Sequence, residues 1–111
     1  MIAVPTLSPT ADEAIIEQMK ENLRYLAAQE EEYFVRHGTY APFPMIAEDE
    51  VIGPKFDMRF AVESPIIDGV VYTGPQKEAS IFDIVAQLPA ENGSEGARYK
   101  IDRSGEIKTL Q

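Results

Sequence analysis

Residues 11–38 read ADEAIIEQMKENLRYLAAQEEEYFVRHG, and the fold follows from that stretch. Between Ala11 and His37 there is neither Pro nor Gly, and residues that lose little freedom in a helix (Ala, Glu, Gln, Leu, Lys, Met) dominate. At about 100° per residue, Ile15, Met19, Leu23, Leu26, Tyr33 and Phe34 fall within one arc. Glu17, Glu21, Ala28 and Glu32 lie across from it. Gly38 follows at once and supplies the left-handed backbone on which helices stop. At the other end, Thr10-Ala11-Asp12-Glu13 has the capping-box form: a hydroxyl that accepts from a free amide, and a carboxylate three residues on that reaches back. Ser8 followed by Pro9 is a competing cap. The spacing predicts one long amphipathic helix over 10–37.

Working outward, residues 1–9 are short, apolar and broken by Pro5 and Pro9, which suits a linker or the end of a longer apolar helix. Residues 38–54 read as an irregular connection. They hold Gly38, Pro42, Pro44, Gly53 and Pro54 and the acidic run Glu48-Asp49-Glu50, with Tyr40, Phe43, Met45 and Ile46 as apolar anchors. Residues 55–111 read as strands. Phe56 to Val62 alternates apolar and polar, Val70 to Thr73 and Ser80 to Leu88 are β-prone, and Glu91 to Gly96 is a turn-rich break. Ala97 to Asp102 and Glu106 to Leu110 then flank the short connection Arg103-Ser104-Gly105. One helix, a loop and a strand meander make a single α+β domain, the helix packed on an antiparallel sheet.

Net charge is −9, from 19 acidic against 10 basic residues. Such a surface repels phosphate, so no nucleic acid is expected as partner. It also disfavours the anionic face of a membrane. The absence of cysteine excludes disulfides, thiolate zinc sites and cysteine nucleophiles. No apolar run is long enough to span a bilayer, and the start carries no export pattern. Glycine-rich phosphate loops and G-x-S-x-G are missing, so nucleotide hydrolysis and acyl transfer have no support, and no cofactor is expected.

His37 is the sole histidine, which rules out a histidine-rich metal site. Glu48, Asp49 and Glu50 could offer oxygens to calcium, but the run lacks EF-hand spacing and reads as a solvated acidic loop. Glu30 sits by helical phase in the middle of the apolar arc, which His37 shares. One reading makes it a general base with a raised pKa, in the cone-shaped pocket that small isomerases form between a helix and a curved sheet. The other has it snorkelling out, or held by loop backbone. No other polar group is positioned to assist, so the second is preferred and no catalytic residue is assigned. Gln18, Asn22, Tyr25 and Gln29 read as an exposed face, where Tyr25 is either simply solvated or a contact to a neighbouring molecule. Ile15, Ile16 and Met19 lie where too few sheet residues remain to cover them. They are expected to be partly exposed, and exposed apolar residues at helical spacing imply a partner surface.

Three pieces occur in a telling order. Ile2-Ala3-Val4-Pro5 opens the chain. Asn22 to Glu30 is followed by Tyr33-Phe34 and His37-Gly38-Thr39-Tyr40-Ala41. Gly96 to Asp102 is followed by Ser104-Gly105-Glu106-Ile107. Together they resemble the first proline, the amphipathic helix half and exit, and the closing hairpin of the type IV pilin and pseudopilin family. The resemblance implies a non-catalytic structural subunit of a type IV pilus or related pseudopilus. It would be anchored in the inner membrane before assembly, and then reside in the periplasm or at the cell surface. Its partners would be other pilin or pseudopilin subunits, and Ile15, Ile16, Met19 and Tyr25 would form the assembly interface. The family's leader and long apolar helix start do not precede Met1. An engineered truncation is the simpler expectation, and a split pilin with the apolar half on a separate short chain is its rival. The disulfide-bounded loop of some pilins is absent for want of cysteine. The tryptophan-containing, calcium-associated ending of major secretion pseudopilins is absent for want of tryptophan.

Overall fold

The computed structural model describes residues 11–89 and 96–110. Residues 1–9, the caps expected at Thr10 and Ser8, and the turn expected over residues 91–95 lie outside the described residues. Helix α1 spans Ala11–His37. It ends as its composition requires: Gly38 takes a φ of 77°, and its N–H donates to the Phe34 carbonyl at 2.7 Å. The strands are β1 (Ile66–Ile67), β2 (Val70–Thr73), β3 (Asp83–Gln87), β4 (Arg98–Asp102) and β5 (Ile107–Thr109). They lie side by side in chain order, each antiparallel to the next. The expected α+β architecture is therefore the observed one.

Register decides which side chains meet the helix. Tyr72, Ala86 and Tyr99 share one row across the sheet, and Ile84, Ile101 and Ile107 share another. Helix α1 packs mainly on β3 and β4. Its Met19, Leu23, Leu26 and Tyr33 join Tyr72, Ile84, Ala86 and Ile101 in one buried cluster. Each such aliphatic side chain contributes roughly 1.5–3 kcal/mol through removal from water. The alternate residues Thr73, Val85 and Lys100 share a row on the opposite, open face.

Two hairpins follow from turn chemistry. Asp68 and Gly69, with φ of 54° and 81°, form the two-residue turn between β1 and β2. Both positions need left-handed backbone, which Asp-Gly tolerates. Between β4 and β5, Gly105 has φ 80° and its N–H donates to the Asp102 carbonyl at 3.0 Å, closing the expected connection.

The segment between α1 and β1 departs from expectation in two places. Residues 43–48 form a short helix, α2 (Phe43–Glu48), with Pro44 in its first turn. Phe56 to Val62 is not a strand, and the sheet begins at Ile66, not at residue 55. The alternation there is real in letters but not in burial. Phe56 and Phe60, four residues apart, are buried, whereas Met58 and Val62 are exposed. Asp57 sets this pattern: its side chain accepts from the Arg59 N–H at 3.0 Å and starts the 3-10 turn Met58–Phe60. A preceding 3-10 turn, Gly53–Lys55, brings the chain there. Of the expected anchors, Tyr40, Phe43 and Ile46 are buried and Met45 is partly so. The end of the Phe43 ring lies close against Gly74, where a Cβ would meet it at 2.5 Å.

Leu26 is 0% exposed at the centre of the cluster. Leu26→Ala should cost about 2–5 kcal/mol in denaturant unfolding, as buried truncations that leave a cavity do. A loss below about 0.5 kcal/mol would place the helix face wrongly.

Candidate functional site

Of the four residues expected to form an interface, Met19 is buried and Ile15, Ile16 and Tyr25 are partly so. Ile15 and Ile16 are half-buried, packed against one end of the core with part of their surface open. Met19 is 0% exposed and belongs to the core, contrary to expectation. It lies between the two isoleucines by helical phase, one turn closer to the sheet. Tyr25 is not on a solvated face either. Its ring stacks on Phe56 at 6.0 Å and meets Phe60 at 5.9 Å, and its hydroxyl accepts from the Asp57 N–H at 2.8 Å. Asn22, also expected outside, is buried: it donates to the Tyr72 hydroxyl at 2.9 Å and accepts from Gln18 at 3.1 Å. The segment 56–60, which forms turns and not the expected strand, covers the Tyr25 flank.

Glu30 is 0% exposed, so no water-sized space adjoins it and no substrate pocket opens on it. It does not snorkel. Its Oε1 accepts from the Ala41 N–H at 3.0 Å, and its Oε2 has no hydrogen-bond partner among the described residues. Burial, with a smaller push from the Glu31 charge, raises its pKa from 4.5 to about 8, the Ala41 bond acting in the opposite sense. At neutral pH the folded protein therefore holds Glu30 as the neutral acid. Next to it Tyr40, also buried, donates its hydroxyl to the Glu31 carboxylate at 3.1 Å and exchanges backbone bonds with Ala79.

The acidic run divides sharply. Glu48 and Glu50 are exposed, whereas Asp49 is buried. Arg36 Nε donates to both Asp49 oxygens, at 3.1 and 2.9 Å. His37 Nε2 lies 2.5 Å from Oδ1 and, since a carboxylate only accepts, is the donor. The N–H groups of Val51 and Ile52 donate to Oδ2, each at 2.9 Å. The His37 bond first, then these amides and Arg36, hold the Asp49 carboxyl far below the usual carboxylate range. An oxygen so engaged is not available to a cation. Among the described residues no group of three or more His, Asp or Glu side chains could hold a metal. The sequence did carry a signal for this node: an Asp followed by amides at two and three residues is a turn-former.

Two of the concavities among the described residues adjoin the groups described above or the open sheet face. One of about 280 Å³ lies beside the Asp49 node, lined by Tyr33, Arg36, His37 and Glu48 among others. The other, about 760 Å³ and shallow, lies on the open face of the sheet between Val71, Val85, Gln87 and Arg98. No family model matches this chain, nor does any curated protein or solved structure.

The two buried carboxylates give opposite pH dependences. Glu30 binds its proton more tightly folded than unfolded, so its contribution is full below 4.5 and declines as pH rises to about 8. Asp49 does the reverse: its contribution is present above 3.8 and is lost as pH falls below that. Stability should thus decline between pH 5 and 8, by at most about 1.4 kcal/mol per pH unit from Glu30. Glu30→Gln should flatten that decline in urea titrations run at several pH values. An unchanged slope would mean that Glu30 is ionised in the fold.

Proposed function

We propose that this chain is the globular part of a filament subunit of the type IV pilin-like kind, serving a pilus or a related pseudopilus, and that it acts without catalysis. The observation that carries the reading is the apolar stripe of α1 running past its cover. Ile15 and Ile16 continue the line of Met19, Leu23 and Leu26, yet lie only half-buried where the core ends. A helix whose apolar stripe outruns its own domain has a surface that another helix fits. The order of elements agrees with the resemblance noted above, from the helix exit at Gly38 to the closing hairpin β4–β5. On this reading an apolar segment ahead of the domain anchors the subunit in the inner membrane. Assembled subunits bundle their helices, and the sheets face outward, in the periplasm or at the cell surface. The partners are other pilin or pseudopilin subunits, or a short pilin chain supplying the apolar half.

No described feature favours the isomerase-like alternative, because the carboxylate it needs, Glu30, touches no solvent-sized space.

The test uses this domain joined to an apolar pilin helix start and expressed in a piliated host. Filaments should appear by electron microscopy with the unaltered domain. With Ile15→Asp and Ile16→Asp together they should be reduced at least tenfold, while circular dichroism of the separate domain stays near that of the parent. Normal filaments with the double variant would remove this face from assembly. Failure of the unaltered domain to enter filaments would remove the reading itself.

A further inference from the structure

The side of the sheet away from α1 is not uniform. Register places Ile66, Val71, Gln87 and Arg98 in one row across it, and Thr73, Val85, Lys100 and Lys108 in the next. Toward β1 this face is apolar, with Ile66 exposed and Val71 and Val85 half-buried. Toward β5 it is basic. Arg98, Lys100 and Lys108 stand there with only Asp83 and Asp102 among the strand residues of that face, whereas the rest of the chain carries seven basic and seventeen acidic residues.

Pairing within the face singles out one cation. Both of its acids are engaged by Lys100, Asp83 at 3.3 Å and Asp102 at 3.8 Å. Lys108 lies within the field of Asp102. Arg98 is exposed, and its side chain has no ion pair or hydrogen bond among the described residues.

A concavity of about 760 Å³ lies where the apolar and basic halves meet, lined by Val71, Val85, Gln87 and Arg98, and by Leu88 and Pro89 where the chain leaves β3. Its shape is fixed at that end. A Cβ at Gly96 would collide with the Leu88 carbonyl, so the chain enters β4 this close to β3 only with glycine there. Gln87 Nε2 donates to the Gly96 carbonyl at 2.8 Å. The Gln87 carboxamide oxygen accepts no hydrogen bond among the described residues and is free to do so.

The groove thus offers an apolar floor, one acceptor and one guanidinium fork. A guanidinium selects a carboxylate, which it can hold through two parallel bonds. The acceptor beside it fits a backbone N–H. Val85 lies opposite Lys100, so Arg98 is its diagonal neighbour on the next strand, about 7–8 Å away. Residues two apart in an extended chain point the same way and are separated by about 6.7 Å. An extended peptide can therefore set an apolar side chain and a carboxylate on these two positions together. The concavity is shallow, which suits a segment laid across it better than an enclosed small molecule. A net charge of −9 turns the domain as a whole away from an anionic membrane.

We propose that the open face of the sheet is a docking groove for an extended acidic segment of a partner protein, with an apolar side chain of that segment on Val71 and Val85 and a carboxylate two residues away on Arg98. The groove faces away from α1 and does not depend on the filament reading.

The test uses the whole chain and three short fluorescein-labelled peptides of alternating threonine and valine, in which two valines are replaced by glutamate, by glutamine or by lysine. In fluorescence anisotropy at low salt, the glutamate peptide should bind saturably and at least tenfold more tightly than the other two. The preference should vanish in ~1 M salt, where the screening length is about 3 Å. Arg98→Glu should reverse it in favour of the lysine peptide. Val85→Thr should weaken binding of the glutamate peptide while leaving the order unchanged. Amide shifts in NMR spectra should change at Val71, Val85 and Gln87. If circular dichroism shows that Arg98→Glu does not fold, Arg98→Gln carries the test and should abolish the preference. Equal binding of the three peptides, an order indifferent to Arg98, or shifts confined to α1 overturn the groove. Binding to phosphatidylglycerol vesicles and not to peptides, or an Arg98-dependent dimer of the chain alone in sedimentation, assigns the face to lipid or to a second copy and overturns the partner segment. None of these results touches α1, so the filament reading keeps its own test.

Discussion

Burial of Met19, Leu23, Leu26 and Tyr33 along one side of α1 is the constraint on which the rest of the domain depends. A helix of this length is wider in its apolar reach than a five-stranded sheet of short strands can cover alone. The chain answers with two covers of different construction. Strands β3 and β4 lie under the stripe, and the non-repetitive segment 43–60 closes the flank through Phe56 and Phe60, which meet Tyr25. Phe60 also contacts the Tyr72 ring edge-on at 5.5 Å, so the two covers are joined to one another as well as to the helix.

The second cover has little regular ladder to hold it, and carboxylates take that part. Glu30 receives the Ala41 amide just after the helix exit, and Asp49 receives two amides beyond α2 while gripping Arg36 and His37. Both are acidic side chains that are buried and bonded to loop backbone, yet they stand in opposite charge states. Asp49 has a guanidinium, an imidazole and two amides around it, enough to hold an ion out of water. Glu30 has one amide and apolar walls, so the proton stays. Number of donors, not depth alone, separates them.

Much of this was legible in the letters. The helix from Ala11 to His37, its stop at Gly38 and its core positions follow from period and propensity, which are local properties. The strands at Val70, Asp83, Arg98 and Ile107 are legible for the same reason. The errors share a physical origin. At Phe56 to Val62 a two-residue alternation was overruled by a side-chain cap at Asp57, which spends the backbone N–H groups in turns. Those turns carry Phe56 and Phe60 onto Tyr25, a cover that a strand alternation does not foresee. The Asp68-Gly69 hairpin has a plain signal in the letters, between Ile66-Ile67 and Val70-Val71. Met19 shows the limit of phase alone: its angle on the helix was right, but how far the sheet reaches along the axis is a tertiary quantity.

The strand order has a kinetic meaning. Every ladder joins neighbours in the chain, so each pairing closes only a short loop, and short closures are fast and entropically cheap. The long closure is the one that brings α1 onto β4, since Leu26 and Ile101 are far apart in sequence but share a core. In a chain made from its first residue onward, the helix is complete well before the strands that cover it. Its apolar stripe therefore stays open through most of synthesis. The surface that the finished domain leaves uncovered at Ile15 and Ile16 is the remainder of a much larger one, closed last by the final hairpin.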